Sequence, residues 1–243
     1  MKISDNGIIL FSRKLQEKLL LIKIFSEKNG ICSGIAKNIG TKKMHNYQIG
    51  NLVNFQKYYR TCDQLGTVSC ESIRSFQWHI MSDKVKLHSF HSISNLILGA
   101  FVEYEAHSSS YNALLNFLDL STSKRFSWLK YFELEMQILR DAGYGLDFEK
   151  CAVTNQVDNL THVSPKTGRA VSIEGAKNYE HLLLKLPKFF TQQSEPQSFN
   201  DIEEAFTLSD YFFQRYIWKH KISEDLMTAR NLLKSSFELS SLP

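Results

Sequence analysis

No stretch of this 243-residue chain approaches the roughly 20 consecutive apolar residues a membrane-spanning helix requires. The first residues, Met1-Lys2-Ile3-Ser4-Asp5-Asn6, are polar where a secretory signal has its apolar core. The expectation is a soluble, cytoplasmic protein that does not engage a membrane. Cysteine is scarce: Cys32, Cys62, Cys70 and Cys151, with no C-x-x-C pair. Zinc sites built on clustered thiolates are therefore disfavoured, and reduced core thiols are expected instead. There is no internal repeat, no low-complexity tract, no P-loop and no dinucleotide glycine fingerprint.

Catalytic constellations are also missing. His88 and His91 are spaced i, i+3 without an H-E-x-x-H motif, and Glu133 and Glu135 fall on different faces of a helix. Ser121-Thr122-Ser123-Lys124, Lys166-Thr167-Gly168 and Ser209-Asp210 echo the boxes of penicillin-recognising serine enzymes. The order is wrong, however, and Tyr211 stands where that motif requires Asn. The chain is read as non-enzymatic, with no catalytic residue, cofactor or metal.

What is present is a globular composition, 43% hydrophobic and 22% charged, and a segregation of charge. Residues 1–80 carry twelve Lys or Arg against five Asp or Glu; residues 81–243 carry seventeen against twenty. A basic first third either meets a polyanion or is simply a solubilising surface.

The pattern of elements changes at the same point. Five short β-prone runs lie in residues 1–80: Gly7 to Phe11, Leu19 to Phe25, Ile31 to Lys37, Gly50 to Gln56 and Leu65 to Ile73. Turn signals separate them and no useful helix intervenes, which suits a small barrel. Helical stripes follow: Ile93, Leu96, Ile97, Ala100, Phe101 and Tyr104; then Tyr111, Leu114, Leu115 and Leu118; then Leu129, Phe132, Met136 and Leu139. Gly143 and Gly145 end the third. Val163 to Val171 reads as a hairpin, residues 191–200 as a linker, Ile202 to Trp218 as a helix, and Ser223 as the N-cap of a last one.

Several of these segments, in order, resemble the bacterial RecO family of recombination mediators. They are Gly7-Ile8-Ile9-Leu10 with Ile22-Lys23-Ile24-Phe25-Ser26, Gly30 through Lys37 with Lys42-Lys43, and Gln48-Ile49-Gly50-Asn51-Leu52-Val53. The most specific is Tyr131-Phe132-Glu133-Leu134-Glu135 with Leu139-Arg140-Asp141-Ala142-Gly143-Tyr144-Gly145-Leu146-Asp147. It continues into Cys151-Ala152-Val153-Thr154, His162-Val163-Ser164-Pro165-Lys166 and Gly168-Arg169-Ala170-Val171. The resemblance implies an α+β chain: a five-stranded OB-fold β-barrel over 1–80 that binds DNA, then a helical domain over 81–243 with an inserted hairpin at 146–180. It further implies binding of single- and double-stranded DNA, strand annealing, and a nucleoid-associated location. The implied partners are RecR and the acidic C-terminal tail of single-strand DNA-binding protein (SSB), with RecF as an optional one, in helping place RecA on SSB-coated strands. Some members carry a four-cysteine zinc site in the insert; here Cys151 matches its first position and Thr154 its second, and no cysteine follows, so packing is expected to hold the hairpin.

An OB barrel binds nucleic acid through cations on phosphates and aromatic platforms under bases. The candidate cations are Arg13, Lys14, Lys37, Lys42, Lys43, Arg60 and Arg74, with Arg13-Lys14 at the first turn and Lys42-Lys43 in a loop with Asn38-Ile39-Gly40-Thr41. Tyr47, Tyr58 and Tyr59 are either stacking residues or partly buried barrel tyrosines. The SSB tail needs an apolar groove with a basic rim, for which Lys130 and Arg140 are rim candidates. The competing reading is an OB-fold RNA-binding or other nucleic-acid-binding adaptor.

Overall fold

The computed structural model describes residues 1–37, 39–61, 64–123, 125–218 and 224–240, and of residues 41–42, 224–227 and 237–240 the backbone alone. Asn38, Cys62, Lys124 and the proposed cap Ser223 lie outside the described residues. Two compact units result: Met1–Phe126 with Ser223–Leu242, and Ser127–Ile222.

The first unit opens with β1 (Lys2–Gln16), β2 (Leu19–Ser26), β3 (Gly30–Lys37), β4 (Asn51–Tyr58) and β5 (Thr67–Ser75). They form a closed barrel in the order β1-β2-β3-β5-β4, the five-stranded OB-like arrangement. Closure depends on β1, far longer than the apolar run Gly7 to Phe11 suggested. Its residues 2–8 pair with β4 and its residues 7–16 with β2, with a bulge between Ile9 and Phe11. Period-two alternation drives the fold: Leu20, Ile22 and Ile24 of β2 point inward with Ile9, Cys32, Phe55 and Val68, while Leu19, Leu21 and Lys23 point outward. A 3-10 helix, Thr41–Tyr47, stands where a loop was expected, and Tyr47 is buried in the core cluster.

The barrel has a seam. β3 meets β5 only at Ile35, opposite Thr67, where the Ile35 N–H donates to the Gly66 carbonyl at 3.0 Å. The start of β3 is edged instead by residues 103–104, with the Tyr104 N–H on the Ile31 carbonyl at 3.1 Å. Lys57 of β4, fully buried, donates its Nζ to the Ser33 carbonyl and the Tyr104 hydroxyl, with its charge 4.9 Å from the Tyr104 ring centroid. Burial lowers the Lys57 pKa, and Cys32 and Glu103 push it back up. Gly30 is obligatory here: φ is +62°, and a Cβ would sit 1.8 Å from the Glu105 carbonyl oxygen.

Helices complete this unit. α1 (Gln77–Met81) leads into α2 (Lys84–Ala100), capped by Asp83, whose carboxylate accepts the N–H groups of Val85 and Lys86 at 2.7 and 3.1 Å. α3 (Ser108–Ser121) ends on the buried Lys86, which donates to the carbonyls of Ser121 and Ser123 at 2.8 and 2.5 Å. The first stripe stops earlier than its spacing suggested: Phe101 caps α2, and Tyr104 has φ of +66°.

The second unit begins with α4 (Trp128–Leu139), whose N-cap Ser127 accepts from the Lys130 N–H. A short π-helical turn, Arg140–Tyr144, ends it at Gly143, φ +88°. β6 (Leu160–Val163) and β7 (Ala170–Ser172) form the expected hairpin; α5 (Ile173–Ala176) and β8 (Leu184–Lys185) follow, β8 pairing with β6. α6 (Lys188–Gln192) occupies the start of the expected linker. α7 (Phe199–Phe213) then opens with a capping box between Ser198 and Asp201. α8 (Glu224–Ser240) returns to the first unit and packs on α2. No helix among the described residues is long and apolar enough to cross a membrane.

Replacing Lys57 should expose the weakness of the seam. Lys57→Ala orphans a buried carbonyl and opens a void, so urea unfolding should show a loss of about 3 kcal/mol. Lys57→Met, which keeps the aliphatic stem and opens no void but leaves the same carbonyl unpaired, should lose about 2 kcal/mol.

Candidate nucleic-acid interface

Directly opposed residues in a sheet share a face, so the register shows which outward side chains stand together. One row crosses every strand: Arg13, Leu21, Ile35, Thr67, Tyr58 and Lys2. At about 4.8 Å per strand it runs about 24 Å round the closed barrel, beginning and ending on β1. Arg13 and Tyr58 are exposed, while Leu21, Ile35 and Thr67 are half-buried. The Lys2 ammonium lies 5.6 Å from the Tyr58 ring centroid, so one end of the row is an aromatic face with a cation beside it. A neighbouring row holds Phe11, Lys23 and Ser33, and a third joins Leu19 to Lys37. Cations between half-buried apolar side chains suit a strand whose phosphates need charge and whose bases need apolar contact.

Of the residues singled out from sequence, Arg13, Lys14 and Lys37 come together where β1, β2 and β3 end. Arg13 and Lys14 lie within β1 rather than in the turn, and their side chains leave on opposite faces. Lys43 is exposed on the 3-10 helix, its N–H donating to Gly40 at 2.9 Å, in a fixed rather than open loop. The Lys42 side chain lies outside the described residues. Arg60 is exposed just after β4, next to Tyr59, which pairs with Met1 through backbone hydrogen bonds. Arg74 is engaged elsewhere: its guanidinium pairs with Asp119 and lies 4.5 Å from the Phe76 ring centroid. Tyr47 is buried, its hydroxyl accepting from the Cys70 N–H at 3.4 Å, so it is no platform. Tyr59 tilts against Tyr104. Lys2 and Lys23 were missed, although outward alternation from Leu19 and Leu21 reaches Lys23 directly.

In the second unit, Lys130 is turned to Glu133 at 2.7 Å. Arg140 lines a cleft of about 800 Å³ with Leu146, Phe148 and Phe190, but Asp147 and Glu149 line it too. A basic rim is therefore diluted there.

The insert is held by hydrogen bonds to sulfur as well as by packing. The fully buried Cys151 Sγ accepts from the N–H groups of Val153, Thr154 and Ser172 at 3.4, 3.3 and 3.2 Å, and from the Ser172 hydroxyl at 3.3 Å. Burial raises its pKa, but these donors, the Ser172 hydroxyl foremost, outweigh burial and bring it to about 6. Thr154 and Ser172 join their hydroxyls at 3.2 Å, and a Cβ at Gly175 would stand 2.9 Å from the sulfur. His162 is bonded to Thr161 and Lys185 instead. A single thiolate ringed by N–H and hydroxyl donors does not fit a metal; among the described residues no three His, Cys, Asp or Glu converge. His88 likewise bonds the Ser236 hydroxyl and Leu232 carbonyl.

Two family models match the chain. One, described as Recombination protein O N terminal, covers residues 1–76; the other, Recombination protein O C terminal, covers residues 81–224. Among curated proteins it is similar to the DNA repair protein RecO of Orientia tsutsugamushi (strain Ikeda), 39% identical over 243 residues, 99% of this chain and 100% of the relative. It is also similar to that of Rickettsia bellii (strain OSU 85-389), 37% identical over 218 residues and 90% of each chain, and to that of Rickettsia felis at the same identity, covering 92% of the relative.

Two outcomes follow from this geometry. The folded Cys151 sits near 6 and the ordinary thiol near 9, so between those values the unfolded chain binds a proton the folded chain has released. Stability should therefore rise from pH 6 to pH 9 and fall again on acidification; Cys151→Ser should flatten that rise in urea titrations. Arg74→Ala, which removes an exposed ion pair, should cost under about 1 kcal/mol and leave nucleic-acid affinity within about twofold.

Proposed function

The chain belongs to the Recombination protein O (RecO) family, and on that premise we propose that it is a DNA-binding recombination mediator acting in the cytoplasm on the nucleoid. It anneals complementary strands and, with RecR, helps load RecA onto single-stranded DNA coated by SSB. It does so without catalysing a covalent step. Residues 1–80 are the DNA-binding domain, the SSB tail is a further partner, and RecF is an optional one.

The observation that carries this reading is the outward row from Arg13 to Lys2 round a closed barrel, flanked by Lys23 and Lys37. It offers cations for a phosphate backbone and a Tyr58 face for a base. It presents no helix to enter a major groove, which fits binding without sequence preference. Annealing follows from such a surface: it neutralises two strands that repel each other, holds them by stacking, and reads neither. The same face would serve an RNA-binding adaptor; preference for SSB-coated DNA separates the two.

The test is annealing of complementary, SSB-coated strands by the purified chain, with and without the SSB tail. Annealing should occur and should require the tail. The Lys37/Lys42/Lys43→Ala variant should anneal more slowly, and its log-affinity against log-salt slope should be shallower by about 2. Absence of DNA binding at low salt would remove the mediator reading.

A further inference from the structure

Beside the second half of β1 runs a groove of about 330 Å³, all of it within the first compact unit. Phe11 and Ser12 of β1 and Ile49 form one side; His91 and Ser94 of α2 and Leu232 of α8 form the other. β4 leaves β1 at Ile8, so among the described residues only β2 pairs with β1 along the groove.

Three properties define what fits. The volume is that of a small ligand, enough for a nucleoside and too little for a folded element. Among the described residues the lining holds no Lys, Arg, Asp or Glu, and burial and the nearby His88 both lower the His91 pKa. A charged ligand therefore finds no counter-charge inside. Ser94 is 3% exposed, and its hydroxyl has no hydrogen-bond partner among the described residues. Buried polar groups are normally satisfied, and an aliphatic side chain in the groove would leave this one as it is. The occupant is thus neutral, largely apolar and edged with donors or acceptors. Phe11 also belongs to the nucleic-acid face: it stands opposite Lys23, and Arg13 lies two residues along the same strand, about 7 Å away.

We propose that the groove takes an unpaired base of single-stranded DNA, with Phe11 against the base, the Ser94 hydroxyl at its edge, and the adjoining phosphate on Arg13 or Lys23. The proposal rests on the nucleic-acid reading above. Duplex DNA cannot fill the groove without unstacking a base, so the site favours single strands over paired ones.

The experiment measures binding of the full chain, at low salt, to an oligo-dT of about 16 nucleotides and to an abasic strand of equal length and charge. Wild type should bind oligo-dT at least about fivefold more tightly than the abasic strand. Leu232→Trp enlarges the groove wall from an exposed position of α8. It should narrow the gap between oligo-dT and the abasic strand without closing it, since the Tyr58 face remains, and leave the abasic affinity unchanged. Irradiating the unaltered chain with a 5-iodo-deoxyuridine strand should cross-link Phe11 or His91. Equal wild-type affinity for both strands, an unaffected Leu232→Trp variant, or cross-links only elsewhere would overturn the base site while the mediator reading stands. Binding of neither strand would overturn both.

Discussion

Everything in the first unit depends on satisfying one edge of β3. A closed barrel removes edges, but here β3 and β5 share a single ladder pair. Among the described residues, then, 30–34 find ladder partners in the barrel on β2 alone, and their other edge needs cover. The chain supplies two covers: the segment after α2, bridged to Gly30 and Ile31, and the buried Lys57 ammonium on the Ser33 carbonyl. Burying a lysine is costly unless it is paired and hydrogen-bonded. The aromatic ring of Tyr104, its hydroxyl and the nearby Glu103 offset that cost. The cover also fixes where the helices sit. Because Glu105 crosses Gly30 at a distance that admits no Cβ, α2 and α3 are tied to the barrel rather than strung behind it, and the first compact unit extends to Phe126.

The insert solves a similar problem by other means. A small hairpin has too little apolar surface to hold itself. Cys151 gathers the N–H groups of both ends of the insert and the hydroxyl of Ser172 around one polarisable atom. The sulfur thereby acts as the acceptor that organises the turn, and glycine at 175 is the consequence of its size.

Much of this was legible in the residues. The alternation in Leu19 to Phe25, the stripe Leu129 to Leu139 and the turn at Gly168 each became the element they predicted, because a single period dominated and one face was buried. The length of β1 was hidden, since its polar flanks pair with β4 and β2 without being buried. The 3-10 helix at Thr41–Tyr47 was hidden because only two of its anchors, Met44 and Tyr47, are apolar. Candidate cations were named by charge alone, and charge cannot distinguish Arg13, which faces solvent in the row, from Arg74, which faces Asp119. Lys57 entered only the count of cations in the basic third; closure of the seam makes it a core residue.

The first unit is discontinuous in sequence: the barrel, α2 and α3 come first, and α8 returns after the 96 residues of Ser127–Ile222. During synthesis the helix that covers α2 therefore reaches the ribosome exit after the whole second unit has emerged. Until then the apolar face of α2 that receives α8 is bare, and the barrel waits with a neighbour missing while the second unit has all its own residues to hand. The order of residues thus imposes an order of assembly in which the part made first is finished last.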